Sequence, residues 1–308
     1  MKTFLFLVAA IALHAAEPKP VPAMQAIPLP HDEVSLQRNG AELCRLHFSK
    51  DQRRPFIFPV NGPSGRSLTR MGHPRDPVTH SHHNSVWFSH ESVAGVNFWG
   101  DQGGTIQHVR VLRLEDSDAE AFVETENAWL DKAGVAVMHD RRRITARTLP
   151  NDEWLLLLDL ELDARTADVP LGQTAFGFLG VRMAKTIGVT DGGGRIRNSE
   201  GGEDEEGCFR KPARWMDYSG PITSETLEGI TLLDHPKNPA HPVTFHCRND
   251  GWMGAAPTFS APLVVKKGEP LRLRYALFIH LGWVPREKVE EQWKEFAASP
   301  WKDFPAKK

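Results

Sequence analysis

The stretch EVSLQRNGAELCRLHF, residues 33 to 48, limits the fold more than any other. Two runs of alternating side chains flank Asn39-Gly40, and that dipeptide readily takes the positive φ values of a two-residue hairpin turn. Similar runs fill most of the chain: TIQHVRVLRLE, AFVETENAWL, GVAVMHDRRRITART, EWLLLLDLELDA, TAFGFLGVRMA, GITLLDH, HPVTFHCR, APLVVKKG and PLRLRYALFIHLG. In EWLLLLDLELDA, Leu156, Leu158, Leu160 and Leu162 share one face. On the other, Leu155 and Leu157 give way to Asp159, Glu161 and Asp163, so this strand is expected to start buried on both sides and end half exposed. One helix stands out, at 285–299, where Val289, Trp293 and Phe296 recur on one face behind Pro285. The pattern predicts an all-β protein: a large antiparallel β-sandwich over 33–284, with the C-terminal helix packed on it.

The N-terminus reads differently. Residues 1–16 carry one lysine, then FLFLVAAIAL, then small residues, as an export signal does. Residues 17–32, rich in proline, are expected to form a flexible tail outside the core. The mature protein is therefore expected to be secreted or periplasmic, with no membrane span after signal removal. A formal charge of -2 and a pI near 6.7 speak against nucleic acid as a partner. Cys44, Cys208 and Cys247 are scattered and make neither a disulfide framework nor a zinc spacing.

The chemistry concentrates in a few stretches. HSHHNSVWFSH, residues 80–90, holds four of the 14 histidines. Read as a strand, it puts His83, Ser85, Trp87 and Ser89 on one face, and His82, Asn84, Val86, Phe88 and His90 on the other. A sugar ring suits the first face, because its C–H side stacks on an indole while its hydroxyls need polar partners. His80 and His82 also sit at a spacing that can place two imidazoles on one ion, with His90, His241 or His246 as a distant third ligand. A divalent metal is thus the one cofactor the pattern leaves open. HPKNPAHPVTFHCRNDG contributes His235, Asn238, His241, His246 and Arg248. Residues 198–220 contribute Glu200, Glu203, Arg214, Asp217 and Tyr218, with Glu203 to Glu206 also readable as a solvated loop. Two long polar stretches, 59–82 and 188–214, read as loops. Arg182, inside FLGVRMA, should be buried and so should require a carboxylate or an anionic ligand.

Four motifs, THSHHNSVWFSHESVAGVNFWGD, GFLGVRMAK, GGRIRNSEGGEDEEG…ARWMDYSG and HPKNPAHPVTFHCRNDG, together resemble the bacterial PmoA-like family of exported proteins. The likeness covers roughly residues 55 to 282 and rests on the order of the motifs. Where that family generally reads His-Pro-His-His-Arg-Gly, this chain has His80-Ser81-His82-His83-Asn84-Ser85. The resemblance implies a sandwich similar to the supersandwich of aldose mutarotases, in bacteria that degrade polysaccharides. The family name borrows from a membrane-embedded methane monooxygenase subunit, an activity that a chain without a span after its leader is not expected to share.

The expected function is action on a small sugar or oligosaccharide by proton transfer: epimerisation, elimination or hydrolysis. His83 and His241 are the expected proton carriers. Asp217 would orient a histidine or act as base, and Arg182 would hold either Asp217 or a substrate carboxylate. Trp87 and Trp99 would be stacking platforms. His82, His90, Asn97, Glu200, Glu203, Arg214, Tyr218, His235, Asn238, His246 and Arg248 would bind substrate around them. His83, Asp217 and His241 are then expected within about 10 Å of one another. The rivals are a non-catalytic sugar binder and a metal-dependent enzyme built on His80 and His82.

Overall fold

The computed structural model describes residues 20–72 and 80–305; the expected signal at 1–16 and part of the 59–82 loop lie outside the described residues. The chain opens with β1 (Met24–Leu29), β2 (Glu33–Arg38), β3 (Ala41–His47), β4 (Phe56–Val60) and β5 (Val86–His90). Four long strands follow: β6 (Thr105–Glu115), β7 (Glu120–Leu130), β8 (Ala136–Thr148) and β9 (Trp154–Asp163). Next come β10 (Val169–Leu171), β11 (Gly177–Arg182), β12 (Arg195–Asn198), β13 (Lys211–Pro212), β14 (Trp215–Pro221) and β15 (Leu227–Asp234). The last strands are β16 (Thr244–Arg248), β17 (Trp252–Ala256), β18 (Leu263–Val265) and β19 (Leu271–Leu281). Helices are short, α1 (Val189–Gly192) and α2 (Asp204–Cys208), except for α3 (Arg286–Ala298).

Two antiparallel sheets face each other. One runs β1-β2-β3-β4-β5-β11-β17-β16-β13, the other β12-β14-β15-β19-β9-β8-β7-β6, and β10 pairs with β18 apart from both. After β5 the chain passes repeatedly from one sheet to the other. The main core lies between them, filled from one side by Val86, Phe88, Val181, Phe245 and Met253 and from the other by Leu156, Leu158, Leu232 and Leu277. This is the all-β, two-sheet fold that the alternating runs predict. Asn39 and Gly40 both take positive φ, 50° and 80°, as the β2–β3 hairpin turn requires.

Three expectations need correction. Residues 17–32 are not all tail: β1 pairs with β2 along its length and buries Met24 and Ala26. Its one proline, Pro28, is tolerated because β1 is an edge strand, where a missing N–H can leave no ladder bond unmade. The end of β9 is not half exposed either. Asp159, Glu161 and Asp163 are buried, because Arg274 pairs with Asp159, Arg272 and Arg141 with Glu161, and Arg165 with Asp163. Finally, the acidic run Glu203 to Glu206 is not a plain loop: Glu203 precedes α2, and Asp204, Glu205 and Glu206 fill its first turn, where carboxylates favour the N-terminal dipole.

The outer face of the eight-stranded sheet is covered by α3. Leu155, Leu157, Trp215, Leu233 and Phe278 meet Val289 and Phe296 of the helix, with Trp293 packed alongside. The outer face of the nine-stranded sheet carries a separate aromatic cluster, Phe56, Trp87, Trp99 and Trp252.

Candidate functional site

Alternation places that cluster. On β17, Met253 and Ala255 point into the core; on β16, Phe245 and Cys247 do; on β5, Val86 and Phe88 do. Their neighbours therefore face outward. Across the strands, Trp87 stands opposite Gly180, Gly180 opposite Gly254, and Gly254 opposite His246. In the adjoining row, Arg182 stands opposite Trp252, and Trp252 opposite Arg248. Two glycines side by side leave a floor without side chains, and the indoles lie down on it. A Cβ at Gly180 would stand 2.7 Å from Cη2 of Trp252 and 2.9 Å from Cζ2 of Trp87; one at Gly254 would stand 2.8 Å from Cζ2 of Trp252.

Over this floor is a cavity of about 360 Å³ lined by His80, His83, Trp99, Phe176, Arg182, His246, Arg248, Asp250 and Trp252. The His83 ring stacks on both indoles, with centroids 5.1 Å from Trp252 and 5.6 Å from Trp87. It does not reach them by continuing a strand. Ser85 takes a φ of 58°, which breaks the alternation, and β5 begins only at Val86. Instead the buried Arg54 fixes this stretch. Its guanidinium donates to the His82 carbonyl at 3.2 Å and to Oδ1 of Asn84 at 2.7 Å on one side, and to the carbonyls of Trp99 and Gly100, both at 2.9 Å, on the other. An arginine at position 84 would set a second cation there, whereas the Asn84 amide oxygen accepts the bond. Asn97 turns the next loop, its Oδ1 accepting from the N–H groups of Trp99 and Gly100.

The opposite wall is the Asn249–Gly251 turn between β16 and β17. The Tyr218 hydroxyl, reaching through from the other sheet, accepts from the Gly251 N–H at 3.0 Å and the Val189 N–H at 3.1 Å, and lies 3.0 Å from the Asn249 carbonyl. Arg70 holds the same turn, donating to the Asp250 carbonyl at 3.1 Å and to that of Met183 at 2.9 Å. Burial, and after it the charge of Arg182, pushes Arg70 down to about 10.

Two residues lining the cavity, Arg182 and His246, and Trp87 packed beside them carry unused hydrogen-bonding capacity. Arg182 is wholly enclosed, yet only its Nη1 finds a carboxylate, Oδ1 of Asp250 at 2.9 Å; Nε and Nη2 have no partner among the described residues. The expected bidentate partners Asp217, Glu200 and Glu203 lie elsewhere. Nδ1 of His246 and Nε1 of Trp87 are likewise buried without a partner among the described residues. Each such group costs about 1–3 kcal/mol unless something at the site meets it. Burial pushes His246 down to about 4, against a hydrogen bond to the Ala175 backbone and with the charge of Arg248 beside it. The ring is therefore neutral at pH 7. With the ring proton on Nε2, the unpartnered Nδ1 presents a lone pair that can accept a proton or a hydrogen bond. Arg248 pairs with Glu205 and stacks on Phe209.

The structure thus brings His83, Trp87, Trp99, Arg182, His246 and Arg248 together, with His82 beside His83 at the rim. His80 and His82 lie in a turn with ring centroids 6.0 Å apart, not on a strand face. Among the described residues, no three histidine, cysteine or acidic side chains converge as a metal site.

Asp217 and His241, expected across the same pocket, are elsewhere. Asp217 shares the outward face of β14 with Trp215, on the α3 side of the eight-stranded sheet, where it accepts from His280 at 2.9 Å, Arg197 at 3.0 Å and Thr231 at 3.0 Å. His241 binds Oδ2 of Asp234 through Nδ1 at 2.6 Å and stacks on Trp293 of α3. Other expected binding residues are structural too. His90 is enclosed, bonded to Thr258 and the Ser92 N–H. His235 sits edge-on between Phe296 and Trp301. Asn238 ties Asp234 to the backbone of Arg274. Arg214 forks onto Glu290 of α3. Glu200 is a surface partner of Ser199, and Glu203 is exposed. Tyr218 only holds the turn.

Sequence reasoning missed Trp252, Asp250, Phe176 and Arg54. Arg248 and Trp252 flank a short Asn-Asp-Gly turn, a signal that would have added Trp252 to the same wall. Arg54, next to Arg53 in SKDQRRPF, gives no such signal, since adjacent arginines read as surface.

A family model matches residues 33–294: the family of unknown function DUF6807. The chain belongs to that family. No curated protein matches the sequence. Among solved structures, the chain is similar to an Escherichia coli K12 protein provisionally described as an aldose 1-epimerase, at 12% identity and a TM-score of 0.37, over 78% of this chain and 97% of the other.

Proposed function

We propose that this family member is an exported carbohydrate-active protein, and that it binds a sugar ring over Trp252 and Trp87 and moves a proton there with His83 and His246. The observation that carries the reading is the glycine floor. Two neighbouring strands give up their side chains where two indoles lie down, and two imidazoles stand at the edge of the same platform. Apolar C–H faces stack on such a surface, while hydroxyls find the imidazole nitrogens. His246, neutral with a free Nδ1, accepts a proton from the ligand; His83 stands on the indoles as the second carrier. Epimerisation, elimination and hydrolysis all need such a pair.

A non-catalytic binder is the second reading. The His246 pKa of about 4 favours it, because so weak a base removes protons slowly at neutral pH. The two separate in heavy water. A sugar panel is screened for binding by calorimetry, and the bound sugars are followed by NMR for deuterium entering at carbon and for cleavage or elimination products. An enzyme shows either change, and His83→Gln slows it at least about a hundredfold while binding survives. Binding with no chemical change in any sugar leaves the binder. A chelator that abolishes turnover would transfer the role to a metal at His80 and His82.

A further inference from the structure

The feature of the cavity that stacking and proton transfer do not use is Arg182. A guanidinium with no exposed surface would ordinarily have its charge matched and its five N–H groups used. Here one nitrogen bonds one carboxylate oxygen, and Nε and Nη2 have no partner among the described residues. Asp250 cannot be given wholly to Arg182. It is partly open to solvent, with 38% of its side chain exposed, and its charge also acts on Arg70, which bonds no carboxylate among the described residues. Arg248, the other cation at the cavity, has its own carboxylate in Glu205.

We infer that the ligand is an acidic sugar, a uronic or aldonic acid, whose carboxylate is taken by the Nε and Nη2 edge of Arg182 while its ring lies over Trp252. This rests on the sugar-binding reading of the same cavity. Nε and Nη2 form one side of the planar guanidinium, and two parallel N–H groups match the two coplanar oxygens of a carboxylate. The single charge of a carboxylate meets a single cation that has only a part share in Asp250. A phosphate monoester, with nearly two charges and three oxygens, exceeds what the two parallel N–H groups of that edge can match. The cavity, about 360 Å³, has room for one pyranose with its carboxylate. Neutral hexoses would bind by stacking alone and leave the Arg182 edge buried and unmet, which is the kind of mismatch that polar sites reject most strongly.

The test is calorimetry on the full-length protein at fixed ionic strength with four ligands: glucuronate, glucose, glucose 6-phosphate and cyclohexanecarboxylate, which keeps ring and carboxylate but has no hydroxyls. Glucuronate should bind at least about tenfold tighter than glucose, and tighter than the phosphate ester. Arg182→Gln should abolish the preference for glucuronate over glucose. The wild-type comparison stands even if that variant does not fold. Equal or tighter binding of glucose overturns the acid inference and leaves the sugar reading in place. A preference for glucose 6-phosphate overturns the carboxylate. Equal binding of cyclohexanecarboxylate and glucuronate, with glucose silent, keeps the carboxylate site and overturns the sugar reading. No binding of any ligand at millimolar concentration overturns both.

Discussion

The Trp252 indole rests so close over Gly180 that a single added methyl carbon would stand 2.7 Å from its Cη2. Gly180→Ala must therefore push Trp252 and Trp87 off the sheet or bend β11. The expected stability loss is about 1–3 kcal/mol, the usual cost of overpacking, and ring binding should fall by more than tenfold. Thermal melting and ligand titration of the alanine variant check both. Unchanged affinity would mean that the indoles are not the platform.

Tyr218→Phe removes the hydroxyl that serves the N–H groups of Val189 and Gly251. One buried donor, Gly251, and one part-buried donor, Val189, lose their acceptor, for a cost of about 1–3 kcal/mol. Because those bonds hold the turn that carries Asp250, affinity should drop along with melting temperature. A variant that melts early but binds normally would show that the turn keeps its shape unaided.

Asp217 should behave in the opposite way. Burial alone would raise its pKa, but the hydrogen bond and charge of His280, with Arg197, outweigh this and hold it below the usual carboxylate range. Asp217→Asn leaves those groups without their anion, a loss of about 3–5 kcal/mol. Below its new melting point, however, the variant should bind ligand as the native protein does. An intact melting temperature with abolished binding would return Asp217 to the site.

Acid should destabilise the fold. Burial pushes His90, His235 and His246 each down to about 4, while their unfolded values lie near ~6.5. Below ~6.5 the unfolded chain takes up protons that the folded chain refuses, so stability falls as pH drops from there to about 4. Asp159, Glu228 and Asp234, whose pKa values burial raises, offset part of the loss at the acidic end. Melting temperature measured from pH 7.5 to 4.5 should decline steadily, and less steeply in His90→Gln. A flat profile would contradict the neutral burial of these rings.

The parts of the molecule legible in the sequence are those where one periodicity acts alone. The hairpin at Asn39-Gly40, the inward leucines of β9 and the apolar stripe of α3 all follow from local pattern. So does the burial of Arg182, a charge set in an apolar strand. What went unread depends on pairing across distance. Glu161 looks like a surface residue until Arg141 and Arg272 arrive from the neighbouring strands. Asp217 and His241 look reactive, but each is held in a structural pair, Asp217 with buried His280 and part-buried His241 with buried Asp234. His83 reached the tryptophans through Arg54 and a turn, not through the alternation that first suggested it. Gly180 and Gly254 look like ordinary strand glycines until register sets them side by side.

The order in which the chain visits its two sheets has a consequence for heredity as well as for folding. The cavity draws on β5, β11, β16 and β17, and between these visits the chain lays down most of the eight-stranded sheet. No continuous segment holds the site without also holding a large part of the opposite layer. Such a pocket cannot be lifted out, shuffled into another scaffold or lost alone by deletion. It can diversify only residue by residue, in place, so differences in ligand among relatives should map to positions such as 84, 182 and 250 and not to exchanged blocks of sequence.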